Sequence, residues 1–245
     1  MLRLTLPALL PALLLATTAF PALAADPGPT LPAFDAAAFA RPVPNPLWTL
    51  EQGQVRTHEG VSVEGIKELD VVTVMGEGPV IVGVKTTTVL DEAYDAGRIV
   101  ERTFDYYAAD DQGNIWYFSE DVTNFRYDDA GSLTGTDTAS AWRAGVNDAA
   151  PGISMPIEPV LGMTLFQEHA PAEAAMDYFR VVATGLTLEV PGGTFTDVVK
   201  MYESSTAETD LREFKYYAPG VGLIRAEENL SQDLTDPKAT IDFVR

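Results

Sequence analysis

The 245-residue sequence has no cysteine, which excludes disulfides, thiolate metal centres, a cysteine nucleophile and a lipid-modified N-terminal cysteine. Histidine is nearly absent too: His58 and His169 stand alone, with no His-x-x-x-His pair, so a zinc site has no visible donor set. Basic residues are scarce, 16 Lys and Arg against 36 Asp and Glu, and a net charge of −20 leaves no surface suited to nucleic acid. Beyond the first residues no apolar run approaches the ~20 needed to span a membrane. Helical periodicity is almost missing. What remains is a chain with 46% hydrophobic residues, enough to fill a core despite its charge.

The N-terminus reads Met1-Leu2-Arg3, then an apolar run from Leu4 to Leu15, then small residues ending in Ala22-Leu23-Ala24. These are the three parts of a secretory signal peptide over residues 1–24, and Pro7 and Pro11 argue against a retained helix. The expected product is periplasmic or secreted, with no membrane span after cleavage. Residues 25–46 carry Pro27, Pro29, Pro32, Pro42, Pro44 and Pro46 and read as a Pro-rich N-terminal arm. Within it a single helical turn is expected over residues 35–39, capped by Asp35.

Residues 47–245 read as one β-rich domain. Runs rich in Val, Ile, Thr, Tyr, Phe and Trp fall at 71–75, 80–90, 98–107, 114–122 and 124–127. Between them stand Gly76-Glu77-Gly78-Pro79, Asp95-Ala96-Gly97, Asp110-Asp111-Gln112-Gly113 and Asp128-Asp129-Ala130-Gly131. Asp bonds its own backbone at a turn and Gly accepts positive φ, so each predicts a hairpin connection. Further runs follow at 163–169, 176–184, 186–190, 198–204, 211–218, 223–228 and 241–244, with turns at Pro191-Gly192-Gly193 and Pro219-Gly220-Val221-Gly222. Gly83 reads as a bend inside a strand, and residues 170–176 as the one other turn of helix. The pattern predicts a mainly β fold, a curved antiparallel sheet or half-barrel of about ten to twelve strands with little helix. Residues 137–162, broken by Pro151, Pro156 and Pro159, read as a long connection crossing the open side of that sheet.

Several blocks resemble an uncharacterised family of exported bacterial β-rich proteins. They are Gly113-Asn114-Ile115-Trp116-Tyr117-Phe118-Ser119-Glu120-Asp121, Trp142-Arg143-Ala144-Gly145-Val146 with Pro151-Gly152-Ile153-Ser154-Met155-Pro156, Val190-Pro191-Gly192-Gly193-Thr194-Phe195, and Lys215-Tyr216-Tyr217-Ala218-Pro219-Gly220-Val221-Gly222-Leu223. That resemblance implies an exported β-rich protein and carries no assigned chemistry. The last block is also similar to the end of lipoprotein-carrier-like half-barrel domains, which implies an open half-barrel. Where such carriers are lipoproteins, this chain departs from them by lacking cysteine.

Catalytic signatures are weak. Gly152-Ile153-Ser154-Met155-Pro156 lacks the second glycine of a nucleophile elbow, and with 36 acidic residues a chance pair of carboxylates is uninformative. No cofactor is expected. The one metal kept open is Ca²⁺ at Asp110, Asp111 and Asn114, whose hard oxygens suit it although the spacing is not that of a calcium loop. Trp116, Phe118, Trp142, Phe214 and Tyr216 are the candidate ligand-lining residues, converging beneath the connection from Trp142 to Ile157, which would act as a lid. The leading expectation is an exported non-enzymatic binding protein holding an apolar or amphiphilic small molecule, or part of an envelope component, in the concavity. An envelope assembly module is the alternative, and an exported hydrolase stands third.

Overall fold

The computed structural model describes residues 28–245, so the expected signal peptide lies outside the described residues. After the arm come β1 (Val55–Ser62), β2 (Lys67–Ile81), β3 (Val84–Asp95), β4 (Arg98–Ala109), β5 (Ile115–Tyr127), β6 (Leu133–Asp137), β7 (Trp142–Arg143) and β8 (Ala150–Met155). The second half adds β9 (Thr164–Phe166), β10 (Glu168–His169), β11 (Asp177–Val190), β12 (Gly193–Ser205), β13 (Arg212–Ala218), β14 (Gly222–Glu228) and β15 (Ala239–Phe243). All belong to one 15-stranded sheet, in the order β10-β8-β5-β4-β3-β2-β1-β15-β14-β13-β12-β11-β9, with β6 and β7 attached to β5.

The two ends of that order are neighbours in the chain, separated by Gln167 alone. Phe166 and Leu165 pair with Tyr178 and Phe179 of β11, while Glu168 and His169 pair with Pro151 and Ala150 of β8. A single short segment thus bonds one end of the sheet with its first half and the other end with its second, which curls the expected curved sheet into a nearly closed antiparallel barrel. The sheet has more strands than the sequence pattern suggests, because β1, β6, β7 and β8 lack clean alternation.

Local chemistry explains the hairpins. The β3–β4 turn puts Ala96 at φ 48° and Gly97 at φ 79°, the double positive-φ pattern whose twist matches the flanking strands. The β2–β3 turn does the same with Val82 at φ 40° and Gly83 at φ 87°. Gly83 is therefore a turn residue, and Gly76 to Pro79, expected as the turn, is absorbed into β2 as register shifts. At residues 170–176 the backbone closes a tight loop bridged from Ala170 to Ala175 instead of a helical turn. The arm's turn is present as a 3₁₀ helix, Ala36–Phe39, with Asp35 accepting from the Ala37 N–H at 2.9 Å. Within residues 137–162, β7 and β8 pair with β5, so this stretch is part of the barrel wall.

Both sides of the wall are covered. Phe34 and Phe39 of the arm pack edge-on against Trp116 and Phe118. The tip of the β11–β12 hairpin folds back on β13 to β15, burying Val190, Val198, Tyr216 and Ile224 as a second core, and Gly192 N–H donates to Phe243 O at 2.8 Å. The main core centres on Phe118, Ile115, Met155, Phe179 and Met201, all fully buried. Among the described residues no helix is long and apolar enough to cross a membrane.

Gly152 marks the closure. A Cβ there would fall on the backbone oxygens of Phe166 and Gln167, which cannot swing aside as a side chain does. Gly152→Ala should lower unfolding free energy by about 1–3 kcal/mol in denaturant titration. An unchanged midpoint would show that the seam does not need this close approach.

Candidate functional site

Alternate residues of the strands face the barrel interior, and on this protein they are predominantly acidic. β4 presents Glu101, Thr103, Asp105 and Tyr107, β13 presents Glu213, Lys215 and Tyr217, and β2 presents Glu68, Asp70 and Val72. Three adjoining chambers of about 330, 150 and 540 Å³ share these walls. The last lies toward Asp95, at the opposite end of β4 from the Asp110 turn, and adds Leu69, Val100, Ala226 and Ile241 to the carboxylates.

At the Asp110 end the arm crosses the barrel. The Asn45 amide donates to Gly113 O at 2.8 Å, its carbonyl oxygen accepts from Leu47 N–H at 2.8 Å, and Gly220 N–H donates to Pro46 O at 2.8 Å. These bonds fix Trp48 as a plug, its ring 5.8 Å from Tyr217 and 5.2 Å from Tyr107, which in turn stacks on Tyr117 at 4.6 Å. On the arm side of Trp48 is a further cavity of about 510 Å³ lined by Phe39, Pro42, Pro44, Leu50, Ala108 and Ile115. Trp48 therefore stands between an apolar chamber and an acidic lumen.

Desolvation dominates the lumen's electrostatics. Burial, with the neighbouring Glu168 charge, pushes Glu120 up to about 10. Glu168 itself is raised to about 8 by burial and by Asp177, and Asp177 to about 6 by burial. Burial likewise raises Asp105 to about 7, against the stabilising Tyr117 hydroxyl, and Glu228 to about 7, helped by Glu213. Asp91 is held well above the usual carboxylate range, first by burial and then by the neighbouring Asp70. It sits deep in the wall yet keeps a water-accessible face on the lumen. For Lys215, burial works against the charge, but Glu203 at 2.9 Å and Glu213 at 3.5 Å outweigh it and keep the ammonium protonated.

Three buried polar atoms along the lumen lack partners, Glu68 Oε2 and one each on His58 and Trp142. His58, 1% exposed, donates through Nε2 to Leu223 O at 3.0 Å, while its Nδ1 lies 3.7 Å from Asp70 Oδ2 with no hydrogen bond. The Trp142 indole N–H faces the Glu168 carboxylate without reaching hydrogen-bond geometry.

The expected ligand-lining residues are not gathered at one point. Trp116 and Phe118 lie under the arm; Trp142 is buried in the wall with its ring edge on Tyr117 at 5.3 Å. Phe214 and Tyr216 belong to the second core, on the face of β13 opposite Lys215 and Tyr217, and the Tyr216 hydroxyl donates to Glu227 at 2.9 Å. The residues that do line the lumen are their strand neighbours. Their signal is a carboxylate or lysine at every second position, as in Glu68-Leu69-Asp70 and Glu213-Phe214-Lys215.

At the Asp110 turn every carboxylate oxygen is in use. Oδ1 accepts from the Gln112 and Asn114 N–H groups and Oδ2 from the Asn114 amide and Trp116 Nε1, each at 2.9 Å. Asp111 caps Arg41 N–H, and the Asn114 carbonyl oxygen accepts from Ile157 N–H at 3.0 Å. Among the described residues no group of three or more His, Asp or Glu is placed to hold a metal ion.

No family model matches the chain, and no curated protein matches it. Among solved structures, a Bacteroides fragilis protein assigned as exported, with a YmcC-like fold, is 16% identical over 84% of this chain and 98% of its own, with a TM-score of 0.40. A protein assigned as a lipoprotein from Parabacteroides distasonis is 12% identical over 83% of this chain and 99% of its own, with a TM-score of 0.43.

Two measurements follow from this electrostatic arrangement. Carboxyls with raised folded-state pKa bind more protons folded than unfolded, so stability is greatest near their unfolded values and falls as pH rises through the folded ones. Asp177, Asp105, Glu228 and Glu168 place that loss between about pH 5 and 8. His58, whose folded pKa is lowered chiefly by burial, acts oppositely below about pH 6.5 and offsets one proton. The melting temperature should therefore be higher at pH 5.5 than at pH 8; the reverse order would mean the lumen carboxylates are solvated. Millimolar Ca²⁺ should shift melting no more than Mg²⁺ at equal ionic strength, and a calcium-specific rise lost in Asp111→Ala would place a metal at that turn.

Proposed function

We propose that this is an exported, non-enzymatic binding protein that holds an amphiphilic small molecule inside its barrel. The observation that carries the reading is the division of the interior by Trp48, with an apolar chamber on the arm side and a polar, acidic lumen on the other. A molecule with an apolar tail and a polar head matches both compartments, and the plug is aromatic, able to pack against either part. The arm-side chamber has the common form of small-molecule sites, mostly apolar walls with a few placed polar groups. Export is supported by the apolar run and the Ala22-Leu23-Ala24 site at the N-terminus.

A second reading has one observation in its favour. Glu120, Glu168 and Asp177 combine raised pKa with mutual proximity, the arrangement from which acid–base pairs are made, and this keeps an exported hydrolase in view.

Protein secreted through its own N-terminal segment and purified without detergent is the material for the test. Native mass spectrometry should show a bound organic molecule, released on collisional activation and lost in Ala109→Trp, which fills the arm-side chamber. Only the bare polypeptide mass, with no thermal shift across a panel of amphiphiles, would overturn the binding reading. Turnover of glycosides or esters abolished by Glu120→Gln would favour the hydrolase.

A further inference from the structure

His58, Asp70 and Asp91 meet in the lumen from β1, β2 and β3. The His58 ring sends its Nε2–H to Leu223 O, so Nδ1 presents a lone pair, 3.7 Å from Asp70 Oδ2. Asp91 lines the same chamber, its carboxyl held well above the usual carboxylate range first by burial and then by the neighbouring Asp70. His58 is 1% exposed and Nδ1 has no partner, so the niche is a built, desolvated feature with an unmet bond. Leaving such an atom unpaired costs free energy that a bound donor would recover.

The protein's own cations do not fill the niche. Arg56 is committed to Gln54 Oε1 at 3.0 Å and to Thr49 Oγ1 at 3.3 Å, and Lys215 to Glu203 and Glu213. A metal ion is a poor match, since no group of three or more His, Asp or Glu among the described residues is placed to hold one. An ammonium nitrogen set off the line joining His58 Nδ1 and Asp70 Oδ2 can lie about 2.9 Å from both, directing one N–H to the imidazole nitrogen and another to the Asp70 carboxylate.

We infer that the niche formed by His58, Asp70 and Asp91 binds the ammonium group of an organic amine. This rests on the lumen being the binding site. Burial keeps the imidazole neutral, as an acceptor must be. Tyr107, Tyr217 and Trp48 beside the niche add aromatic faces that favour a cation, and Trp48 gives the rest of the ligand its path toward the apolar chamber.

Matched probes separate the terms. Calorimetric titration with n-octylammonium, n-octanol and n-octanoate should show the ammonium binding at least tenfold more tightly than either partner. In Asp70→Asn that advantage should vanish while octanol binding stays unchanged, with Asp91→Asn as the second variant should the first not fold. Spermidine distinguishes the source of the amine: binding tighter than octylammonium identifies a free polyamine, weaker binding an amine-bearing amphiphile, and either supports the niche. Octanol or octanoate binding as tightly as octylammonium would overturn the ammonium assignment and leave the lumen reading in place. No binding by any probe, together with a bare mass in native spectra, would remove both.

Discussion

The partner switch at Gln167 is the constraint on which the rest of this protein depends. Phe166 bonds to β11 and Glu168 to β8, so two residues flanking one position join the ends of a sheet that would otherwise be open. Only because the wall closes does the protein have an interior distinct from its core. The close approach at Gly152, the burial of Met155 and Phe179, and the enclosure of the lumen all follow from that seam.

An acidic interior is costly to build. Each carboxylate taken from water loses solvation, and nearby like charges add to the loss, which is why several hold protons near neutral pH. The fold compensates with the Tyr117 hydroxyl hydrogen-bonded to both Asp105 and Glu120, Tyr217 donating to Glu203, and Lys215 bridging Glu203 and Glu213. Compensation stops at His58, Glu68 and Trp142, each with a buried polar atom that lacks a partner. Buried polar groups are ordinarily satisfied throughout a protein, so the places where they are not are informative about what the interior is for.

Much of the wall was legible in the sequence because turn chemistry is local. Ala96-Gly97, Pro191-Gly192 and Pro219-Gly220 mark real hairpins, and Asp35 caps the helical turn it was expected to cap. Gly76 to Pro79 misled because bulges and turns draw on the same residues, and only strand pairing tells them apart. β1 escaped notice since its inward residues, Arg56 and His58, are polar. The lumen was harder to see for a related reason. Alternation identifies the two faces of a strand, but it names the inner one only where the outer meets water. Here the arm covers Trp116 and Phe118, and the β11–β12 tip covers Tyr216 and Phe214, so these four aromatics lie outside the barrel and the charges inside. That inversion requires knowing which distant segments lie over the wall, which no local pattern carries.

Sheet proteins risk joining edge to edge, because an unpaired strand offers its backbone to any other chain. Closure removes most of that hazard here, and what remains is small. The flank of β9 is occupied by the arm, where Thr30 N–H donates to Thr164 O and Thr30 O accepts from Phe166 N–H. β6 is left at the margin with five residues, Leu-Thr-Gly-Thr-Asp, mostly exposed and interrupted by Gly135. Five residues make a short edge on which to template a partner, and the same arm that plugs one end also covers the seam.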